Sequence, residues 1–163
     1  MGILLPLHIL AYGYTFGSTT FHSFIASTKA IKILPRREFG EFQGEVLPIQ
    51  FYTQTLAPLV IGLTAPYTIS TIGLGLLATS AAGGIANLAW LTPLCQNIKN
   101  QRYKIVDDKF DGNLQKAVDS GELKSLDKEF GKWHAASMIA NMVSILTITA
   151  YGFILSGKLK VIP

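Results

Sequence analysis

The stretch Val46–Ile98, VLPIQFYTQTLAPLVIGLTAPYTISTIGLGLLATSAAGGIANLAWLTPLCQNI, contains no Lys, Arg, Asp or Glu. A helix crosses the hydrocarbon core of a bilayer with about 20 mostly apolar residues. This run is too long for one crossing and suits two. Thr64-Ala65-Pro66-Tyr67 supplies the turn between them, because proline lacks a backbone donor and disfavours helix in the residue before it. Residues 1–28 and 133–157 are equally free of charge, and each holds one crossing. The expected fold is therefore all-α, an integral membrane four-helix bundle forming a single domain over residues 1–163. Its spans fall at about 3–28, 46–65, 68–95 and 133–156. A soluble four-helix bundle would need charged outer faces, which these segments lack.

The first span lacks the features of a cleaved leader. No Lys or Arg precedes Lys29 and the first arginine is Arg36, so neither a basic signal-peptide start nor an arginine-rich presequence is present, and the span is read as retained. Cys95 is the only cysteine; it permits no internal disulfide and reads as an inert thiol at a helix end.

Charge placement predicts orientation. Lys29, Lys32, Arg36 and Arg37 occupy the first connection, and eight more Lys and Arg occupy the third, leaving only Lys158 and Lys160 of the fourteen on the other side. Positive residues mark cytoplasmic loops. Loops 29–45 and 99–132 are thus expected in the cytosol, with both termini opposite. The bilayer is the first expected partner, with attraction to anionic headgroups a secondary effect of the net charge of +4. Nucleic acid is not expected, since seven acids interleave with the eight bases of the third connection. That connection should be partly helical: Phe110, Leu114, Ala117 and Val118 recur at helical spacing, Ser120-Gly121 marks a break, and Ser125 is placed to cap a helix leading into the fourth span.

Inside the spans, polar side chains must face other helices or a cavity. His134, Ser137, Asn141, Ser144 and Tyr151 share one stripe of the fourth span. Thr71, Gly75, Thr79, Gly83 and Asn87 recur every fourth residue in the third, and Gln50, Thr53 and Gln54 lie in the second. The first has Thr15, Ser18, Thr19 and His22 on one face and contains TFGSTTFHSF, Thr15–Phe24, read as a packing seam in which Gly13, Gly17 and Thr15 admit a close neighbour and His22 is the residue with further potential. The predicted polar core, structural or binding, is His22, Gln54, Asn87, His134, Ser137 and Asn141. Small residues and interhelical hydrogen bonds explain such faces without any chemistry.

Three sharper readings can be weighed. Two bis-histidine haems would need four histidines where the chain has three, so a redox reading reduces to one haem between His22 and His134. A small-solute transporter or channel would use the polar faces and the prolines Pro48, Pro58 and Pro66, although the spans hold no acid for an ion relay. A catalytic triad has no carboxylate near His134 and Ser137, and the spans offer no metal ligand set. No cofactor, metal or catalytic residue is expected.

Three stretches together resemble the transmembrane protein 205-like family, small four-span membrane proteins with a domain of unknown function. They are LPRREFGEFQGEVLPIQF (Leu34–Phe51), NLAWLTPLCQNIKNQR (Asn87–Arg102) and FGKWHAASMIAN (Phe130–Asn141). Two positions depart from the family pattern: Ala135 replaces a glycine after the histidine, and Val46-Leu47-Pro48 replaces Leu-Phe-Pro. The resemblance implies four spans and residence in an endomembrane, the endoplasmic reticulum or secretory pathway rather than the mitochondrion. It associates the chain with trafficking and secretion and supplies no reaction. The expected function is that of a non-catalytic accessory or trafficking component, partnered by another membrane protein or by its own copies. Pro35, Arg36 and Arg37 form its candidate cytosolic motif, with Arg36 anchoring the loop at the headgroups or pairing with an acid of the third connection such as Glu129.

Overall fold

The computed structural model describes residues 2–159, so the calls on Met1 and Lys160 lie outside the described residues. Five continuous helices account for nearly all of it. Helix α1 covers residues 4–33, α2 is Arg36–Thr64, α3 is Thr71–Phe110, α4 is Leu114–Asp119 and α5 is Lys124–Leu159. Two of them change winding on the way: α1 through a π-helical turn at Phe21–Ala26, and α3 through another at Asn87–Leu91.

The breaks follow local chemistry. Pro35 disfavours helix at Leu34, which turns extended (φ −96°, ψ 140°) and ends α1. The Thr64-Ala65-Pro66-Tyr67 turn forms as expected, and Ser70 restarts the chain by accepting the Gly73 N–H at the N-terminus of α3. Asp111 ends α3 in the left-handed region, followed by Gly112 at φ +77°. Gly121, at φ +79°, makes the expected break before α5.

Helices α2, α3 and α5 are each long and apolar enough to cross a membrane, with mean hydropathies of 1.3, 1.5 and 1.8 in their best windows. The chain is an integral membrane protein. The fourth expected span, α1, is not among these three. Its length suffices, but His8, four Thr or Ser in 15–20, and His22 lower its hydropathy.

Burial is inverted relative to a soluble protein. His8, Thr15, Thr19, Gln54, Asn87 and Ser144 are among the most buried side chains, while Leu63, Phe153, Ile72 and Ile139 face outward. Only a surrounding lipid phase makes that arrangement favourable. The helices form a ring, α1 against α2, α2 against α3, α3 against α5, and α5 back against α1. Ile61, Leu77, Ile148, Tyr151 and Leu155 fill one half of its centre.

Adjacent glycines set the closest crossings. A Cβ on Gly84 would sit 2.8 Å from the Thr55 nitrogen and 2.9 Å from the Gln54 carbonyl carbon of α2. On Gly83 it would collide with Ser144 and lie 2.8 Å from the Ala140 oxygen of α5. Consecutive residues point about 100° apart round a helix, so this pair lets α3 approach two neighbours at one level.

Several expectations need correction. The loop 29–45 is helical except at Leu34 and Pro35, while 99–132 is helical as expected and more extensively so, because α2, α3 and α5 continue out of the apolar zone as charged helices. Charged residues propagate helix well, so a charge boundary marks the membrane edge rather than the helix end. Helix α5 starts at Lys124, and Ser125 does not cap it. Phe110, Leu114, Ala117 and Val118 do not form one helix: Phe110 ends α3, and Leu114 begins α4. Pro48 and Pro58 lie inside α2 without ending it. The predicted Gly13/Gly17 seam is absent, since both glycines are exposed with nothing within 4 Å of a Cβ. The expected face through Thr15, Thr19 and His22 is buried, and His8 extends it at spacings of 7, 4 and 3.

Candidate functional site

The charged half of the bundle contains a network of amides and hydroxyls to which α1, α2 and α5 contribute. Asn141 is its hub. Its Oδ1 accepts from Gln54 Nε2 at 2.6 Å and from Gln50 Nε2 at 3.2 Å, and its Nδ2 donates to Ser23 Oγ at 3.1 Å. Gln50 Nε2 also reaches Ser23 Oγ at 3.2 Å. One turn nearer the charged end, Gln43 Nε2 donates to Ser27 Oγ at 3.0 Å, and the same hydroxyl lies 3.0 Å from His22 Nε2. On α3, Asn87 donates to the Ser137 carbonyl at 3.3 Å. Deeper, Ser80 and Ser144 exchange hydroxyl-to-carbonyl bonds between α3 and α5 at 3.3 and 2.9 Å.

The two π-helical turns coincide with this level: Phe21–Ala26 carries His22 and Ser23, and Asn87–Leu91 begins at Asn87. A π turn holds one residue more than an α turn and recurs at functional positions in helices. Here each turn re-aims the helix beyond it.

Of the six predicted core residues, five are buried: His22, Gln54, Asn87, Ser137 and Asn141. Gln54 and Asn141 meet directly, and Asn87 meets the backbone of Ser137. His134 does not join them. It is exposed on the outer face of α5, its ring stacked on Phe130 with centroids 5.5 Å apart. The one-haem arrangement thus finds one imidazole inside the bundle and the other outside, and the residues do not fit it. Gln43, Gln50, Ser23 and Ser27 complete the network and were not among the predicted members. Their signal was the spacing of 7 and 4 among Gln43, Gln50 and Gln54, which puts three amides on one face of α2.

A second polar cluster lies at the opposite end. His8, fully buried on α1, places Nε2 3.3 Å from Tyr67 Oη and 3.2 Å from Tyr151 Oη, and the two phenols are 3.1 Å apart. Thr64 Oγ1 is 3.4 Å from His8 Nδ1. Sequence spacing gave no hint of this group, because its members come from three places separated by 59 and 84 residues and His8 stands alone in an apolar segment.

At the charged end, Pro35 forms the break before α2, and Arg36 is exposed without an ion pair among the described residues. The expected partner acid is met by Arg37 instead. Its guanidinium grips Asp107 on α3 through two bonds of 2.7 and 3.0 Å and lies 4.9 Å over the Tyr103 ring. Beside it, Lys99 donates to the Gly40 carbonyl at 3.0 Å, and the buried Arg102 pairs with Asp127 at 2.6 Å. One residue's rotation round α2, about 100°, separates the arginine facing α3 from the one facing solvent.

The Arg37 guanidinium, first by hydrogen bonding and then by charge, holds the Asp107 carboxyl below its ordinary value of 3.8. A depressed carboxylate contributes stability above its unfolded pKa and loses it as pH falls through the folded one. Amide protection over 36–44, corrected for intrinsic exchange, should therefore hold steady from pH 8 to 5 and fall only below about pH 4. Arg37→Asp should lower it at pH 7, and Arg37→Asp with Asp107→Arg should restore it. Failure of the exchanged pair to restore protection would assign the docking of α2 to other contacts.

Residues 10–104 match the model of a domain of unknown function, DUF4149. The chain is 27% identical to the Xanthocillin biosynthesis cluster protein D of Aspergillus fumigatus, over 96% of this chain and 91% of that protein. No solved structure matches.

Proposed function

This chain belongs to the DUF4149 family, and from that premise we propose that it is a four-span, non-catalytic accessory or trafficking component of an endomembrane. The observation that carries this reading is the Asn141 hub. Its donors and acceptors tie three helices to one another, which is the work of a structural core. The likeness of its surroundings to the transmembrane protein 205-like pattern supports residence in the endoplasmic reticulum or secretory pathway. The relative named as a protein of a biosynthesis cluster is consistent with an accessory role beside other proteins.

Helix α1 is the fourth span in this reading. Thirty residues at 1.5 Å each reach about 45 Å, beyond the roughly 30 Å of hydrocarbon. Its inner face is polar, and Leu10, Tyr14, Phe21, Phe24 and Ile25 point outward. The start of α1 and the end of α5 then lie opposite the charged ends of α2, α3 and α5, which face the cytosol.

The native particle in mild detergent tests the accessory role. A stoichiometric complex with one reproducible foreign subunit is expected. A particle of one to a few 17.7 kDa chains with no foreign subunit would overturn it and favour the solute-transport reading, which buried polar atoms in the core also support.

A further inference from the structure

The trio of His8, Tyr67 and Tyr151 is one proton short of a closed set of hydrogen bonds. His8 Nε2 lies 3.3 Å from Tyr67 Oη and 3.2 Å from Tyr151 Oη, and the two phenol oxygens are 3.1 Å apart. Thr64 gives its own proton to the Val60 carbonyl at 2.7 Å. Its Oγ1 therefore accepts from His8 Nδ1–H at 3.4 Å, and Nε2 is left as a bare acceptor. Three close edges then share two phenolic protons. One edge always sets two lone-pair atoms against each other, in a place where His8 and Tyr151 are both 0% exposed. Such a buried contact is unfavourable.

A metal ion satisfies all three atoms at once. The point equidistant from them is about 1.8 Å from each, so bonds of about 2.0–2.2 Å, usual for zinc with nitrogen and oxygen ligands, seat an ion about 1 Å off their plane. The separations fit as well, since tetrahedral bonds of about 2.0 Å hold ligand atoms about 3.3 Å apart. The imidazole is already steered through its other nitrogen, as ligating histidines are. Among the described residues no three of His, Cys, Asp and Glu come together; here phenols complete the set.

Charge balances too. A divalent ion that displaces both phenolic protons leaves no net charge, which suits surroundings with no Asp or Glu in 1–28, 46–98 or 133–157. Ile61, Ile148 and Leu155 pack with Tyr151. The Lys158 ammonium lies over the Tyr67 ring, 6.0 Å from its centre, and faces a neutral complex.

We propose that His8 Nε2, Tyr67 Oη and Tyr151 Oη bind one divalent transition-metal ion, reached past the half-buried Tyr67 from the end of the bundle opposite the charged one. Three metal–ligand bonds form, the two phenolic protons leave to solvent, and a fourth position stays open to water. The site does not depend on the accessory role, because it needs no partner subunit.

Copper(II) is the first probe, because phenolate ligation gives it a visible charge-transfer band. A Cys95→Ser, His134→Gln background removes competing ligands outside the site. In it the purified chain is expected to bind one Cu(II) with that band, and Zn(II) should displace it. Tyr67→Phe and Tyr151→Phe keep the rings and remove one ligand each. Each should weaken binding by more than about tenfold, the least that loss of a supporting partner costs, and diminish the band. No band, or an ion whose affinity and band survive both substitutions, would overturn the site. If the phenylalanine variants do not fold, the unsubstituted chain decides. Zn(II) should then produce the ultraviolet difference spectrum of two ionised phenols and release two protons per ion. Zn(II) binding without ionised phenols, or no binding, overturns the proposal.

Discussion

Gly84→Val is expected to leave no folded bundle in detergent, whereas Gly75→Val, on the same helix, should be recovered like the parent. Both substitutions make the same intrinsic change in helix preference. They differ in what the new side chain meets. At Gly75 there is open space within 4 Å, and at Gly84 the first added carbon already lies 2.8 and 2.9 Å from backbone atoms of Thr55 and Gln54. A clash with a side chain can be relieved by a rotamer change, but a clash with backbone requires the helices to part. Overpacking costs about 1–3 kcal/mol in well-packed interiors, and a branched residue against backbone should exceed that. Gly84→Ala is the milder case, where about 1 kcal/mol of gained helix preference offsets part of the loss. Thermal melting followed by size-exclusion in detergent measures all three. A Gly84→Val protein that melts with Gly75→Val would mean that α2 and α3 are not in close contact at this level.

The second large effect is expected at the hub. Asn141→Leu keeps approximate size and removes the acceptor for Gln50 and Gln54 as well as the donor to Ser23. One interhelical hydrogen bond in a membrane protein averages only about 0.6 kcal/mol. A buried donor left without a partner costs about 1–3 kcal/mol; here the Gln54 amide loses its only acceptor while Gln50 keeps Ser23. A loss of about 2 kcal/mol follows. Thr147→Val is the control, because Thr147 bonds only to carbonyls of its own helix. Adding Gln54→Leu to Asn141→Leu should recover part of the loss, which a double-mutant cycle reads directly. If Asn141→Leu melts with Thr147→Val, the network does not hold the bundle together.

How much of this was legible in the sequence depended on the kind of signal. The charge-free runs located the apolar parts of α2, α3 and α5, and Pro66 and Gly121 located breaks, because membranes and turn residues act locally. The stripe through Ser137, Asn141, Ser144 and Tyr151 correctly named a buried face. It also carried His134, which the structure leaves exposed and stacked on Phe130. Gly13 and Gly17 misled because a small-residue pair does not say which face packs; Thr15 and Thr19 did. The helical state of 36–45 was hidden by its charge, which ends a membrane span without ending a helix. The joining of His8 to Tyr67 and Tyr151, and of Arg37 to Asp107, needed the third dimension.

The two π-helical turns make this bundle sensitive to a class of change that no hydropathy profile registers. Deleting one codon within Phe21–Ala26 would leave composition and span length nearly untouched. It would also heal the turn to α, rotating everything beyond it by about 100°. Ser27 would swing away from Gln43 while His8, Thr15 and Thr19 stayed in place. The same deletion within Asn87–Leu91 would turn the whole charged extension of α3 and carry Tyr103 and Asp107 off Arg37. In library design, a change of length at these two points should therefore cost more than a change of residue.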